Sequence, residues 1–290
     1  MPGYGAYCLA ALLSRGLPAS AAYGLAAWLG RYRGRHRSAE RAGVRTNLER
    51  IYAWRGQPMA PGEGDARALR TYEQFGHYLV DFFRHTRLDA AEVARRVIID
   101  HPGYLREAHG AGRGVIVVTA HLGNWELGGA VLHALGYPVN AVVLTQRMPR
   151  LERLLEAQRR RRGVRVLPLG HSALSLVRCL QRGELVALLA DRDFTRHHQE
   201  LDFFGHPVRL PAGAAWLSLR TGAPILPAFL LRHDHATFHL HLHPPLWPER
   251  QGGVTSIMCK LRDILQSEIS AQPEQWFVFH DFWAGEPPLS

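Results

Sequence analysis

Residues 115–118 read Val-Ile-Val-Val and residues 185–189 read Leu-Val-Ala-Leu-Leu, with no polar position in either run. Strands this short that offer nothing to water are buried on both faces, and such strands belong to parallel sheets covered by helices on each side. Between and around them the pattern alternates. Helical periodicity occupies 127–135, a basic stretch at 151–162, and 174–181, while 139–144 and 164–167 read as further strands. That alternation predicts βαβ units and a mainly parallel sheet. Residues 229–243 read as an added strand or hairpin, and 257–269 as a late helix. Upstream, 41–96 is helical in character. Val44, Leu48 and Ile51 share one face, a loop rich in Pro and Gly follows at 56–64, and Tyr72, Phe75, Leu79, Phe82 and Phe83 recur at helical spacing as core positions. With 290 residues, no repeat and no disordered linker, the expectation is one α/β domain behind an α-helical N-terminal segment.

The net charge of +10 calls for an anionic partner: nucleic acid, an acidic lipid surface, or an acidic carrier or cofactor. No zinc-finger spacing, aromatic-basic RNA signature or helix-turn-helix is present, so nucleic acid is set aside. Three cysteines, Cys8, Cys179 and Cys259, cannot all pair with one another and fit a reducing compartment. No stretch approaches the roughly 20 apolar residues that cross a bilayer. The apolar run at 6–13 is interrupted by Arg15 and resumes at 19–29, without the basic residues that precede the core of a signal peptide. Arg31, Arg33, Arg35, Arg37, Arg41 and Arg45 follow, with His36 among them. Short apolar helices followed by an arginine cluster are the pattern of an interfacial anchor on anionic lipid. The expected division is therefore an anchor at 1–45 and a catalytic domain at 46–290.

In parallel α/β sheets, ligands gather beyond the carboxyl ends of the strands. The first strand runs into Thr119-Ala120-His121-Leu122-Gly123-Asn124-Trp125-Glu126, and the fourth into Asp191-Arg192-Asp193. On one regular helix His121 and Glu126 would lie about 140° apart. With His121 in the turn before the helix and Gly123 permitting that turn, Glu126 can fold back toward the imidazole. A carboxylate on one ring nitrogen fixes the tautomer and lets the other nitrogen take a proton from an attacking hydroxyl. A histidine placed here can equally serve only to cap the next helix.

These residues resemble the His-x4-Glu/Asp box of the bacterial lipid A biosynthesis acyltransferases, the lauroyl and myristoyl transferases, and of the related phosphatidylinositol mannoside acyltransferases. Leu188-Leu189-Ala190-Asp191-Arg192-Asp193 with Phe203-Phe204-Gly205 is similar to the second box of that family. Leu210-Pro211-Ala212-Gly213, Arg220-Thr221-Gly222-Ala223-Pro224, Pro273-Glu274-Gln275-Trp276 and Trp283 continue the match in order. The resemblance implies a glycerolipid-acyltransferase-like sheet and transfer of a fatty acyl group from acyl carrier protein or coenzyme A to a hydroxyl of a membrane glycolipid. That reaction would run at the cytoplasmic face of the bacterial inner membrane, with the enzyme peripheral or monotopic.

It also implies His121 as general base, Glu126 as its orienting partner, and no resident cofactor. Arg159 is the arginine expected to point into the site; Arg147, Asp191, Arg192 and Asp193 are candidate substrate contacts. The basic tract at 147–165, with Arg160, Arg161 and Arg162, is expected to steer the anionic donor. The broken N-terminal helix and the Asp-Arg-Asp box lean toward the mannoside acyltransferases. A thioesterase or lipid esterase using the same dyad is the alternative. No metal is expected: Asp191 and Asp193 flank an arginine, and no cysteine or carboxylate completes a ligand set for the run His233, His235, His239, His241 and His243.

Overall fold

A computed structural model describes residues 4–85, 88–145, 148–169, 173–193, 197–234, 237–249 and 252–284. The chain opens with helices α1 (Tyr4–Gly16), α2 (Ala19–His36), α3 (Ser38–Trp54) and α4 (Glu63–Arg84). Helix α4 is the hub of this group, burying Tyr72, Val80, Phe82 and Phe83 among the other three. Helices α2 and α4 touch backbone to backbone at two glycines. A Cβ at Gly30 would collide with the Tyr72 carbonyl, and one at Gly76 would stand 2.9 Å from the Ala26 carbonyl carbon and closer still to its oxygen. Several arginines expected to meet lipid are instead paired within this group: Arg31 with Glu73 and Arg33 with Glu40 at 2.8 Å each, and Arg41 with Asp65 at 3.0 Å. Residue 45 falls inside α3, so the expected boundary coincides with no break in the helices.

The remaining elements alternate as expected: α5 (Ala90–Arg96), β1 (Val97–Asp100), α6 (Gly103–Gly110), β2 (Val115–Thr119), α7 (Trp125–Ala134), β3 (Val139–Val143), α8 (Pro149–Arg161), β4 (Val164–Pro168), α9 (Ala173–Gln181), β5 (Leu185–Leu189), the hairpin β6 (His198–Phe203) and β7 (His206–Pro211), α10 (Gly213–Thr221), β8 (Ile225–Arg232), β9 (Phe238–Leu242) and α11 (Gly253–Ala271). Among the described residues seven strands form one sheet in the order β1-β9-β8-β2-β5-β3-β4. Strands β8, β2, β5, β3 and β4 run parallel, β9 is antiparallel to β8, and β1 follows β9. The mainly parallel sheet flanked by helices is the fold the sequence predicts.

Strand β2 is buried at every position because both faces are covered. Ile116 and Val118 belong to the core cluster that holds Met258, Leu261 and Leu265 of α11. Val115 and Val117 belong to the other, with Leu105 of α6 and Leu127 and Val131 of α7. Strands β1, β6 and β7 and helices α6 and α10 escaped the sequence reading. Strand β1 is only four residues long at the sheet edge, with Ile98 half exposed, so its apolar pattern is incomplete. The β6–β7 hairpin carries mostly polar residues and stands apart from the main sheet.

The close crossing of α2 and α4 gives a direct test. Gly76→Val is expected to lower stability by about 1–3 kcal/mol, the usual cost of forcing extra atoms into a filled contact. The change should appear as a reduced Tm in thermal unfolding, while Gly24→Ala, where a Cβ meets open space in an exposed helix interior, should hold or raise the Tm.

Candidate active site

The register of two parallel strands builds the centre of the site. Thr119 at the end of β2 pairs with Leu189 at the end of β5. Each strand is followed by one alanine and then by a functional residue, so His121 and Asp191 emerge side by side. His121 Nδ1 lies 2.9 Å from Asp191 Oδ1, and the His121 backbone N–H donates to Asp191 Oδ2 at 3.0 Å. The indole N–H of Trp276 donates to the same oxygen at 2.9 Å. Asp191 is fully buried. Burial alone would raise its pKa, but the His121 charge and these hydrogen bonds outweigh burial and hold the carboxyl below its usual range. With the carboxylate accepting, Nδ1 carries the hydrogen and Nε2 is the nitrogen available to take a proton.

The turn that carries His121 is fixed by its neighbours. Gly123 adopts φ +63°, and a Cβ there would strike the Leu230 carbonyl, so the position requires glycine. Asn124 caps α7 by accepting from the Leu127 N–H at 3.0 Å. A C-terminal strap closes over the same turn: Phe277 N–H donates to the His121 carbonyl at 2.7 Å, and Gly123 N–H to the Gln275 carbonyl at 2.9 Å. The Trp125 ring stacks on Tyr78 at 4.6 Å and meets the imidazole edge-on at 5.1 Å.

Glu126 does not serve the imidazole. From the first turn of α7 it binds Arg159 of α8, whose Nε lies 3.0 Å from each carboxylate oxygen and whose Nη2 lies 2.5 Å from Oε1. The partner of His121 is therefore Asp191, in place of the Glu126 expected from the sequence. Asp191, expected to touch substrate, has no surface to do so. Arg159 reaches the site as the resemblance implied, but as half of a largely buried ion pair. Burial lowers its pKa and Glu126 more than restores it.

Arg162 was expected in the donor-steering tract and is instead 3% exposed. It donates to the carbonyls of Asp81, Phe82 and His85 at 2.6–2.9 Å, satisfying the last turn of α4. Arg192 borders the cavity beside His121, and Asp193 pairs with His198 at 3.2 Å. Arg147 lies outside the described residues.

His121, Trp125, Glu126, Arg159 and Arg192 open onto a cavity of about 490 Å³. Its walls are otherwise mainly apolar, including Leu132, Val142, Leu176, Leu188 and Leu217, and the bare backbone of Gly128 and Gly129 widens it along α7. Thr119 also lines it, and its buried hydroxyl has no hydrogen-bond partner among the described residues. Neither Thr119 nor Trp276 stood out in the sequence as part of the chemistry. Thr119 sits within the buried strand itself, and Trp276 acts through the chain fold rather than a local motif.

A histidine held by a buried carboxylate beside a mainly apolar cavity is an arrangement able to activate a hydroxyl or water against a substrate with a long apolar part. The model of the bacterial lipid A biosynthesis acyltransferases matches residues 1–284. The chain belongs to that family and is an acyltransferase. It is 30% identical over 88% of its length to a phosphatidylinositol mannoside acyltransferase of Mycobacterium tuberculosis, of which it covers 80%. With that of Mycolicibacterium smegmatis it shares 28% identity over 94% of its length and 89% of the relative's. A lipid A biosynthesis palmitoleoyltransferase of Escherichia coli is 28% identical over 61% of this chain and 58% of its own. Among solved structures, the 1-acyl-sn-glycerophosphate acyltransferase of Thermotoga maritima aligns at a TM-score of 0.40 and 13% identity, over 88% of this chain and 99% of that one.

The geometry distinguishes two carboxylates that spacing alone could not. Asp191→Asn should lower kcat by roughly 10²–10⁴-fold, the range expected when a general base loses its action or its correct tautomer. Trp276→Phe, which keeps a ring but removes one donor to that carboxylate, should cost less, about 1.5–3 kcal/mol in kcat/KM. Circular dichroism establishes folding, and transfer rates near wild type in a folded Asp191→Asn variant would assign the orienting role elsewhere.

Proposed function

We propose that the protein moves a fatty acyl group from an acyl thioester of coenzyme A or acyl carrier protein to a hydroxyl of a membrane glycolipid. His121 acts as general base and Asp191 orients it. The observation that carries this reading is the buried Asp191 carboxylate on Nδ1, which leaves Nε2 to act beside a mainly apolar cavity. In the proposed step Nε2 accepts the proton of the acceptor hydroxyl as its oxygen bonds to the thioester carbonyl carbon. The tetrahedral oxyanion then collapses, the carbon–sulfur bond breaks, and the imidazolium returns its proton to the departing thiolate. A guanidinium has five N–H donors, and those that Arg159 does not give to Glu126 serve the oxyanion, where charge develops during attack. The Thr119 hydroxyl and Arg192 contact substrate in the same cavity, and the acyl chain lies along its apolar wall.

Two relatives that match most of this chain act on phosphatidylinositol mannoside, and the lipid A relative matches less of it. This favours a phosphatidylinositol mannoside-like acceptor over a lipid A precursor. Among the described residues no helix is long and apolar enough to cross a membrane. Access to the acceptor then falls to a surface. Leu9, Leu12 and Trp28 on α1 and α2 are 55%, 68% and 54% exposed, with Leu29 and Tyr32 exposed beside Trp28 and with Arg35 and Arg37 nearby in sequence. These residues dock the enzyme on the anionic cytoplasmic leaflet.

Labelled acyl-CoA or acyl carrier protein, incubated with vesicles carrying phosphatidylinositol mannoside, should give labelled glycolipid. His121→Ala should reduce that product by roughly 10²–10⁴-fold. Label released mainly as free fatty acid, at the same rate with and without acceptor, would make the enzyme a hydrolase. Replacing Leu9, Leu12, Trp28 and Leu29 together by serine should reduce pelleting with anionic vesicles without changing the melting curve; unchanged pelleting would move the docking surface elsewhere.

A further inference from the structure

The histidine run near the C-terminus gains in three dimensions a carboxylate from another strand, Asp100. Strand β9 alternates buried Phe238, Leu240 and Leu242 with half-buried His239 and His241, so both imidazoles share one face. Strand β1 lies alongside in parallel register, with Asp100 opposite His241 and Ile98 opposite His239. One donor atom from each of Asp100, His239 and His241 falls within 4.8 Å of the others. His241 Nε2 and Asp100 Oδ2 are 3.6 Å apart. Ligands bound at 2.0–2.2 Å around a tetrahedral zinc ion stand about 3.4 Å from one another. One pair already meets that spacing, and side-chain rotation closes the rest.

A buried carboxylate behind the histidines supports the same assignment. Glu268 of α11, 7% exposed, lies behind the strand. Its carboxylate takes His241 Nδ1 at 3.0 Å and His243 Nε2 at 2.9 Å. A carboxylate on one nitrogen of a histidine fixes the tautomer and turns the other nitrogen outward as a basic ligand, the arrangement that accompanies metal-bound histidines. Here it directs His241 Nε2 toward Asp100. The His233 ring stands 4.8 Å from that of His239, outside the three-residue cluster, and water would complete the coordination. None of these residues lines the cavity beside His121.

We propose that Asp100, His239 and His241 bind a divalent transition-metal ion with the ligand preference of zinc, which fastens edge strand β1 to β9 and, through Glu268, to α11. Asp100 and Glu268 together balance the charge of such an ion. The site is structural: β1 has β9 as its strand neighbour, and a shared ion adds a cross-link that four residues of backbone pairing lack. The competing occupant of the gap is a proton on His241, bridging Asp100 and Glu268 without metal.

The test uses full-length, tag-free protein loaded with Zn²⁺, or with Co²⁺ as a coloured substitute, and then gel-filtered. One retained equivalent per chain by elemental analysis, visible Co²⁺ absorption from nitrogen and oxygen ligands, and a Tm raised by Zn²⁺ are expected. His239→Ala and Asp100→Asn should each abolish retention and the Tm response. Glu268→Gln should weaken binding by about 10–100-fold, as loss of an outer-shell partner does. His36→Gln, on an exposed helix end, should change nothing. Absence of retained metal, or retention and Tm response equal to wild type in a folded His239→Ala variant, would overturn the proposal and leave the proton as the occupant. Neither outcome bears on acyl transfer at His121.

Discussion

A carboxylate with no access to water organises this molecule. An unpaired buried charge costs several kcal/mol, which is tolerable only where donors and an opposite charge surround it. Asp191 meets that demand with groups from distant parts of the chain: the backbone and ring of His121 after β2, and the indole of Trp276 in the C-terminal strap. Moving any of them leaves the charge uncompensated. The β2–β5 register, the turn at Gly123 and the course of the strap are therefore linked constraints, and their joint solution holds the imidazole still before any substrate arrives. Preorganisation of this kind is what an active site needs from its scaffold.

A second buried carboxylate extends the constraint to the N-terminal helices. Asp81 of α4 is fully buried and receives the Tyr23 hydroxyl at 2.5 Å, the Asn124 amide at 3.1 Å, and the guanidinium of Arg232. Asn124 in turn caps α7, the helix that presents Trp125 and Glu126 to the site. Helices α2 and α4 therefore share a hydrogen-bond network with the catalytic turn. Exposed apolar residues on α1 and α2 belong to the same packed body as His121, so contact of those helices with a surface would also set how the cavity mouth meets it.

Much of this was legible in the residues, and the failures have physical causes. Two short apolar runs, 115–118 and 185–189, leading into His121 and Asp191, announced both the parallel sheet and the two chemical positions. The equal spacing of these two residues from the strand ends at Thr119 and Leu189 was also the signal that the two side chains emerge together, but it becomes decisive only once β2 and β5 are known to be neighbours. Glu126 was assigned to His121 because it is close in sequence. The first turn of α7 instead directs it to Arg159, a contact spanning the β2-to-β4 crossover that no local pattern encodes. Strand β1 was missed for a related reason: an edge strand needs only one good face, and four residues cannot display a period.

The arginines of α8 show how little a run of like charges says about its members. A helix turns about 100° per residue, so consecutive positions face different surroundings. Arg159 faces Glu126 and the cavity, Arg162 turns under the end of α4 to satisfy its last carbonyls, and Arg160 and Arg161 remain in solvent. Burial pushes the Arg162 guanidinium down to about 10, so it stays charged at neutral pH while serving a structural end. Arg160 and Arg161, like Arg150 and Arg153 on the same helix, are exposed enough to attract an anionic partner, and solvated charges lose their reach as the Debye length contracts with salt. The Arg159 and Arg162 contacts are shielded from that screening by burial. One basic tract thus divides into a salt-sensitive outer part and a salt-insensitive inner part, and the inner part is the one joined to Glu126 and the end of α4.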